Sequence, residues 1–138
     1  MPVNPHNSSN SQHQTKVVLS FGSNCGDRKD NVRKALDWLC KNFSESKVSE
    51  IYETPEIHGV GNPYMNAVGS CRVDCTLDEM IALTKEYEKE NGRDSACRQR
   101  GDVPIDIDVV IWNEEIIRPL DYSSSFFKIG HSMISADH

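Results

Sequence analysis

An apolar, strand-like segment that carries two acids constrains the fold more than any other part of this 138-residue chain. Residues 101–112 read GDVPIDIDVVIW, and side chains along a strand point alternately to opposite faces. Alternation predicts one wholly apolar face, formed by Ile105, Ile107, Val109 and Ile111. The opposite face would carry Asp106, Asp108, Val110 and Trp112. The two neighbouring acids mark this strand as the first candidate for a functional site.

Composition limits the classes of protein that this chain can belong to. Its 21 acidic and 15 basic residues give a formal net charge of -6, which argues against binding nucleic acid through general basicity. The longest apolar run is far shorter than the ~20 residues of a membrane-spanning helix, and the N-terminus lacks the pattern of a signal peptide. We therefore expect neither a nucleic-acid nor a membrane partner, and the sequence does not indicate the oligomeric state.

The five cysteines indicate the redox compartment. They lie mostly within apolar patterns and show no paired C-x-x-C spacing, at positions Cys25, Cys40, Cys71, Cys75 and Cys97. We therefore expect reduced thiols in a cytoplasmic protein.

Hydrophobic periodicity predicts alternating strands and helices behind a polar leader. Residues 1–15 lack apolar periodicity, so we expect a disordered leader followed by a single domain over residues 16–138. The predicted elements are a strand at 16–21, a helix at 28–43 capped by Asp27, strands at 47–54 and 64–74, a helix from the capping box Thr76–Glu79 to Gly92, a polar loop at 93–102, the acid-bearing strand and a short return strand at 116–120. This βαββαβ order predicts an α+β, ferredoxin-like sandwich, in which an antiparallel sheet carries the helices on one face. The other face is left for loops or a ligand.

The acid pair can bind a metal ion that bridges phosphates. Asp106 and Asp108 project from one face with Cα atoms about 6 to 7 Å apart, and magnesium takes one or two carboxylates together with phosphate oxygens. Arg93, Arg98 and Arg100 precede them in an otherwise acidic chain, and guanidinium groups bind phosphate well. The alternatives are acids that protect a sheet edge and arginines that are only solvated.

A second group of polar and aromatic residues brackets the loop between the second and third strands. The group consists of Tyr52, Thr54, Pro55, Tyr64 and Asn66. An aromatic ring can stack on a flat heterocycle, and an amide offers it a paired donor and acceptor. The alternative is that these side chains only decorate a strand.

Five motifs occur in the order and spacing of a known enzyme family: LSFGSN, IYETPEIHG, PYMNAV, NGR and IDIDVVIW. From about Val17 to Ile117 the chain resembles 6-hydroxymethyl-7,8-dihydropterin pyrophosphokinase, an enzyme of folate biosynthesis. The resemblance implies a ferredoxin-like fold and transfer of a pyrophosphoryl group from ATP to the hydroxymethyl group of the pterin, with release of AMP.

The resemblance also implies roles for individual residues. Asp106 and Asp108 would be catalytic ligands of two magnesium ions, and Arg93 a catalytic loop arginine near the phosphates. Glu88 would lie near the nucleotide. Thr54, Pro55, Tyr64 and Asn66 would form the pterin pocket, with Phe126 or Phe127 as its second aromatic face.

The chain departs from the family pattern before the acids and at its C-terminal end. Where the family has Arg-Trp-Gly-Pro-Arg, this chain has Gln99, Arg100, Gly101, Asp102 and Val103. Arg98 and Arg100 are the candidates to replace the missing arginine at the phosphates, and the family's His-Pro and Arg-x-Phe segments are absent. The leading hypothesis is an active pyrophosphokinase, and the alternative is a degenerate relative that binds a pterin or nucleotide without efficient turnover. An RNA-recognition domain fits poorly, because the third strand lacks the required aromatic residues.

Overall fold

The computed structural model describes residues 14–54, 63–92 and 95–135, except for the side chains of Ser95 and Arg98. In chain order, the elements are β1 Thr15–Ser23, α1 Arg28–Asn42, β2 Ser44–Val48, β3 Tyr52–Thr54, β4 Tyr64–Val73, α2 Leu77–Asn91, α3 Ser95–Gln99, β5 Asp106–Trp112, β6 Glu115–Ile116, α4 Pro119–Ser123 and α5 Ser125–Ser135. The predicted leader lies mainly outside the described residues, and β1 begins at Thr15, one residue before the predicted strand. In the described ranges, no helix is long and apolar enough to span a membrane.

The strands form one antiparallel sheet in the order β2-β4-β1-β5-β6, and β3 also pairs with β4. This architecture confirms the predicted α+β, ferredoxin-like class. The predicted second strand is divided at Ser49, whose hydroxyl accepts a hydrogen bond from the backbone N–H of Val68 at 2.9 Å. Because a side chain takes the place of a backbone acceptor there, the strand is split into β2 and β3.

Helices α1 and α2 cover one face of the sheet because each carries a local cap and an apolar stripe. The Asp27 side chain accepts from the backbone N–H of Asp30, and the capping box predicted at Thr76 and Glu79 is present. The buried residues of α1 are Val32, Ala35, Leu36 and Leu39. They pack with Leu19 of β1 and with β5 to form the main core.

The second face of the sheet is covered at one end by α5. A smaller core there contains Val18, Val68, Val110, Phe127 and Ile134. The sequence pattern predicted loops or a ligand on this face and did not predict α5. The predicted return strand extends only over Glu115–Ile116, and α4 begins at Pro119. The apolar strand residues on this face explain the helix, because they would otherwise lie in water.

A β-bulge changes the predicted alternation of β5. Val18 pairs with Ile111 and Leu19 pairs with Val109, so Val110 is an extra residue in β5. As a result, Ile111 packs against the smaller core, whereas Trp112 packs against the main core. The faces predicted for these two residues are wrong, although those of Asp106 and Asp108, before the bulge, are unaffected.

The segment before β5 contains a short helix and a crosslink instead of a wholly irregular loop. Cys25 and Cys97 form a disulfide between the β1–α1 turn and α3, with Cα atoms 5.9 Å apart. Beside it, the backbone N–H of Asn24 donates to the Val103 carbonyl at 2.9 Å. The expectation of reduced thiols is therefore wrong for these two cysteines, because the fold brings together segments 72 residues apart. The other three cysteines are unpaired.

Candidate active site

A pocket of about 480 Å³ lies on the second face of the sheet, beside the smaller core. Strands β1, β3, β4 and β5 and the C-terminal helices contribute its lining residues, which are Ser20, Phe21, Gly22, Thr54, Tyr64, Asn66, Asp106, Asp108, Arg118, Asp121, Ser124, Ser125 and Phe126. The structure thus brings together six of the residues that the sequence predicted for a site. They come from segments that are distant in sequence and adjacent in the sheet.

One end of the pocket presents an amide beside an aromatic ring. Asn66 is only 5% exposed, and its Nδ2 donates to Oγ1 of Thr54 and, at 3.5 Å, to the carbonyl of Tyr64. A Cβ on the facing Gly22 would lie 3.1 Å from Oδ1 of Asn66 and 3.3 Å from the Tyr64 ring, so glycine provides the space that both side chains occupy. An amide held in this way can bind the hydrogen-bonding edge of a flat heterocycle.

The other end of the pocket contains the acid pair. The Asp106 and Asp108 side chains are in hydrogen-bond contact. Partial burial, the negative charge of Asp108 and the bond to it raise the pKa of Asp106 to about 7. A cation between the two carboxylates would offset the repulsion and the burial that disfavour the charged form of Asp106. In the part of the chain that the structure describes, no three acidic, His or Cys residues are arranged so that they could hold a metal ion, so ligand oxygens would have to complete its coordination.

Two side chains of α2 hold the outer edge of the acid strand. Glu88 Oε2 accepts from the backbone N–H of Ile107 at 2.7 Å. Lys85 Nζ donates to the Ile107 carbonyl at 3.2 Å and to Oδ1 of Asp108 at 3.4 Å. Glu88 therefore has a structural role in positioning the acids, and its predicted contact with a nucleotide stays a prediction. The sequence did not reveal the position of Lys85, because that position depends on the packing of α2 against β5.

Arg118 is a second residue of the candidate site that the sequence did not reveal. Its Nη1 lies 3.9 Å from Oδ1 of Asp108, and its Nε donates to Asp121 at 2.5 Å. It lies in the C-terminal segment that departs from the family pattern, so no motif marked it. It places a permanent positive charge beside the acid pair.

The structure separates the two candidate phenylalanines. Phe126 lines the pocket, whereas Phe127 is fully buried in the smaller core and packs against Tyr122. Helical geometry explains the difference, since successive residues on α5 point about 100° apart. Phe126 is therefore the candidate for the second aromatic face.

The loop arginines do not join this pocket as far as the structure describes them. Arg100 lies in a separate cavity of about 290 Å³, where its Nε donates to Asp102 at 3.1 Å and its Nη2 contacts Sγ of Cys25. Arg93, Pro55 and the side chain of Arg98 lie outside the described residues. Their predicted roles stay predictions.

Comparison with known proteins places these features in a family. A model of the family 7,8-dihydro-6-hydroxymethylpterin-pyrophosphokinase (HPPK) matches residues 18–136. The chain is 33% identical over 104 residues to the 2-amino-4-hydroxy-6-hydroxymethyldihydropteridine pyrophosphokinase of Aquifex aeolicus, a match that spans 74% of this chain and 64% of that relative.

Two further relatives match this chain with similar identity. The enzyme of the same name from Porphyromonas gingivalis is 34% identical over 101 residues, which are 69% of this chain and 67% of the relative. A folate synthesis bifunctional protein of Arabidopsis thaliana is 31% identical over 105 residues, which are 74% of this chain and 22% of the relative. Because the family model matches residues 18–136, most of the 138 residues, this chain belongs to the 7,8-dihydro-6-hydroxymethylpterin-pyrophosphokinase family.

Proposed function

We propose that this chain transfers the pyrophosphoryl group of ATP to the hydroxymethyl group of 6-hydroxymethyl-7,8-dihydropterin, a reaction of folate biosynthesis. The observation that carries the proposal is the alignment of three residues across the sheet. Gly22 pairs with Asn66 on one side and with Asp106 on the other. The amide and the first acid are therefore two strands apart, about 9 to 10 Å between Cα atoms. This distance suits a two-ring heterocycle bound at the amide with its one-carbon arm near the acids.

The aromatic residues and the amide would orient the pterin. Tyr64 and Phe126 line the pocket on different elements, so a flat ring can lie between them while Asn66 binds its polar edge. The hydroxymethyl oxygen would then attack the β-phosphorus in line, and AMP would leave. Such positioning supplies much of the catalysis in phosphoryl transfer, because the protein has little covalent chemistry to perform.

The acids and the neighbouring cations would bind the phosphates. Asp106 and Asp108 fit magnesium, because two hard carboxylate oxygens that repel each other gain from a shared cation. Two ions are proposed, as the family resemblance implies, and when bound they would neutralise charge on the transferring phosphates. Arg118 provides a further positive charge that needs no ion, and Lys85 neutralises part of the acid pair from the outer edge.

A specific observation favours a second candidate function, binding without efficient turnover. Val103 occupies the family's arginine column, and Arg100 is turned toward Asp102 and Cys25. The transition state would then lack a cation on this side unless Arg118 compensates from the other.

One experiment separates the two functions. The protein is incubated with ATP, magnesium and the reduced hydroxymethylpterin, AMP release is followed, and binding of each ligand is measured by calorimetry. An active enzyme releases AMP, and the double variant Asp106→Asn/Asp108→Asn loses both AMP release and magnesium-dependent ATP binding. Asp30→Asn, a partly exposed site on α1 outside the pocket, is the matched control and should change neither AMP release nor ATP binding. Binding of the pterin or of ATP without AMP release supports the degenerate binder, and absence of binding of both ligands rejects both functions.

A further inference from the structure

We propose that Tyr52 is a positioning residue, whose hydroxyl fixes the first turn of α5 and thereby holds Phe126 as a wall of the pocket. The inference rests on the proposed function, since it assumes that Phe126 contacts the pterin. Tyr52 itself does not line the pocket. It would act on the ligand only through Phe126.

The Tyr52 hydroxyl bonds to two backbone groups of α5. It donates to the Phe126 carbonyl at 2.5 Å and accepts from the Gly130 N–H at 3.0 Å. These two groups are four residues apart, the spacing of direct partners in an α-helix. A side chain from β3 is thus inserted at a rung of the helix's own hydrogen-bond ladder, a known cause of local change in helix geometry. The position of the Phe126 backbone therefore depends on a hydroxyl of the sheet.

Gly130 permits this contact. A Cβ at this position would lie 2.6 Å from the Tyr52 hydroxyl and 2.6 Å from Cγ2 of Val68, distances that no side chain tolerates. Glycine inside a helix costs about 0.5 to 1 kcal/mol relative to alanine, so its presence in the middle of α5 requires a compensating gain. The close approach of α5 to β3 and β4 is that gain.

The same tyrosine connects the two sides of the pterin end of the pocket. Tyr52 is the cross-strand partner of Asn66, whose amide lies in the pocket. Its hydroxyl bonds to Phe126, 74 residues away. Burial raises the pKa of Tyr52 to about 12, so the hydroxyl keeps its proton and remains a donor at physiological pH. The spacing between the amide and the aromatic wall is therefore set by one rigid side chain.

A double-mutant cycle tests the inference. Tyr52→Phe removes one oxygen and keeps the ring, and Phe126→Ala removes the wall. Tyr122→Phe is the matched control, since it removes the same group from a tyrosine of α4 that contacts Phe127 and Lys128 through its ring. The readouts are the dissociation constants of the pterin and of magnesium–ATP, with the melting temperature recorded for every variant.

We expect Tyr52→Phe to weaken pterin affinity roughly five- to twentyfold, the range for losing one or two hydrogen bonds, and to change nucleotide affinity less than twofold. In the Phe126→Ala background, the same change should cost less than twofold, because no wall remains to be positioned. Tyr52→Phe only removes an oxygen and creates no clash, and its melting temperature checks that the variant folds.

Two results overturn the inference while leaving the proposed function intact. One is unchanged pterin affinity in Tyr52→Phe, even with a lower melting temperature, because the hydroxyl then only stabilises α5. The other is a double variant whose fold-loss in pterin affinity equals the product of the fold-losses of Tyr52→Phe and Phe126→Ala, because the two residues then act independently. If the wild-type protein binds no pterin, the proposed function itself fails, and this inference fails with it.

Discussion

Replacing Asp106 by asparagine should stabilise the metal-free protein at neutral pH. The pKa of this carboxyl is raised from 3.8 to about 7 by partial burial, by the charge of Asp108 and by the bond to it. The folded state therefore binds the Asp106 proton more tightly than the unfolded chain does. Below about pH 4 both states are protonated and nothing is lost. Between about pH 4 and pH 7 the stability of the folded state falls, and above pH 7 the full cost remains.

The size of this cost follows from the pKa and from the exposure of the side chain. A change from 3.8 to about 7 corresponds to about 4 kcal/mol for a fully buried group. The Asp106 side chain is 48% exposed, so solvent screening reduces the expected cost to about 1 to 2 kcal/mol. Asp106→Asn removes the charge and nearly preserves the shape. For a chain of this length, the gain corresponds to roughly 3 to 8 °C in melting temperature.

Thermal unfolding in a chelating buffer at pH 5 and pH 8 measures this gain. Asp106→Asn should melt higher than the wild type at pH 8, with a smaller difference at pH 5. Asp30→Asn is the control of opposite sign. Hydrogen bonds from Arg33 and Lys34 lower the pKa of Asp30, so loss of its charge should not stabilise the protein. A variant that melts at or below the wild-type temperature at pH 8 would refute the claim that the two acids repel each other in the pocket.

Three further predictions concern other parts of the molecule. Asn66→Ala should weaken pterin binding by about 1 to 3 kcal/mol in calorimetry, because a polar ligand edge loses its partner; unchanged affinity would place the pocket elsewhere. Arg118→Gln should slow AMP release roughly ten- to a hundredfold, because the transferring phosphates lose a positive charge. A larger loss of rate in Arg100→Ala would show that this charge comes from the loop before β5 instead. Cys97→Ser should lower the free energy of unfolding by about 4 kcal/mol in urea titrations, because the disulfide joins residues 72 apart, whereas the exposed Cys40→Ser should have little effect; equal midpoints would count against the crosslink.

The sequence by itself determined the elements whose causes are local. Helix α2 begins at its capping box because Thr76 and Glu79 bond to each other's backbone within one turn. Tyr64 and Asn66 lie on one face of β4, and Asp106 and Asp108 on one face of β5, because alternation holds along a regular strand. These residues account for much of the predicted pocket. They could be found because each depends only on its near neighbours in the chain.

Tertiary structure decided the features that depend on register and on packing between layers. The bulge at Val110 reverses the faces of the last residues of β5, and nothing in their alternation indicates it. Arg118 reaches the acids only because α4 follows the sheet, and the Tyr52 hydroxyl meets Phe126 across 74 residues. Periodicity specifies which side of its own strand or helix a residue takes. Contacts between distant segments form only when the sheet register and the close approach of α5 at Gly130 are set, because both depend on the packing of the whole chain.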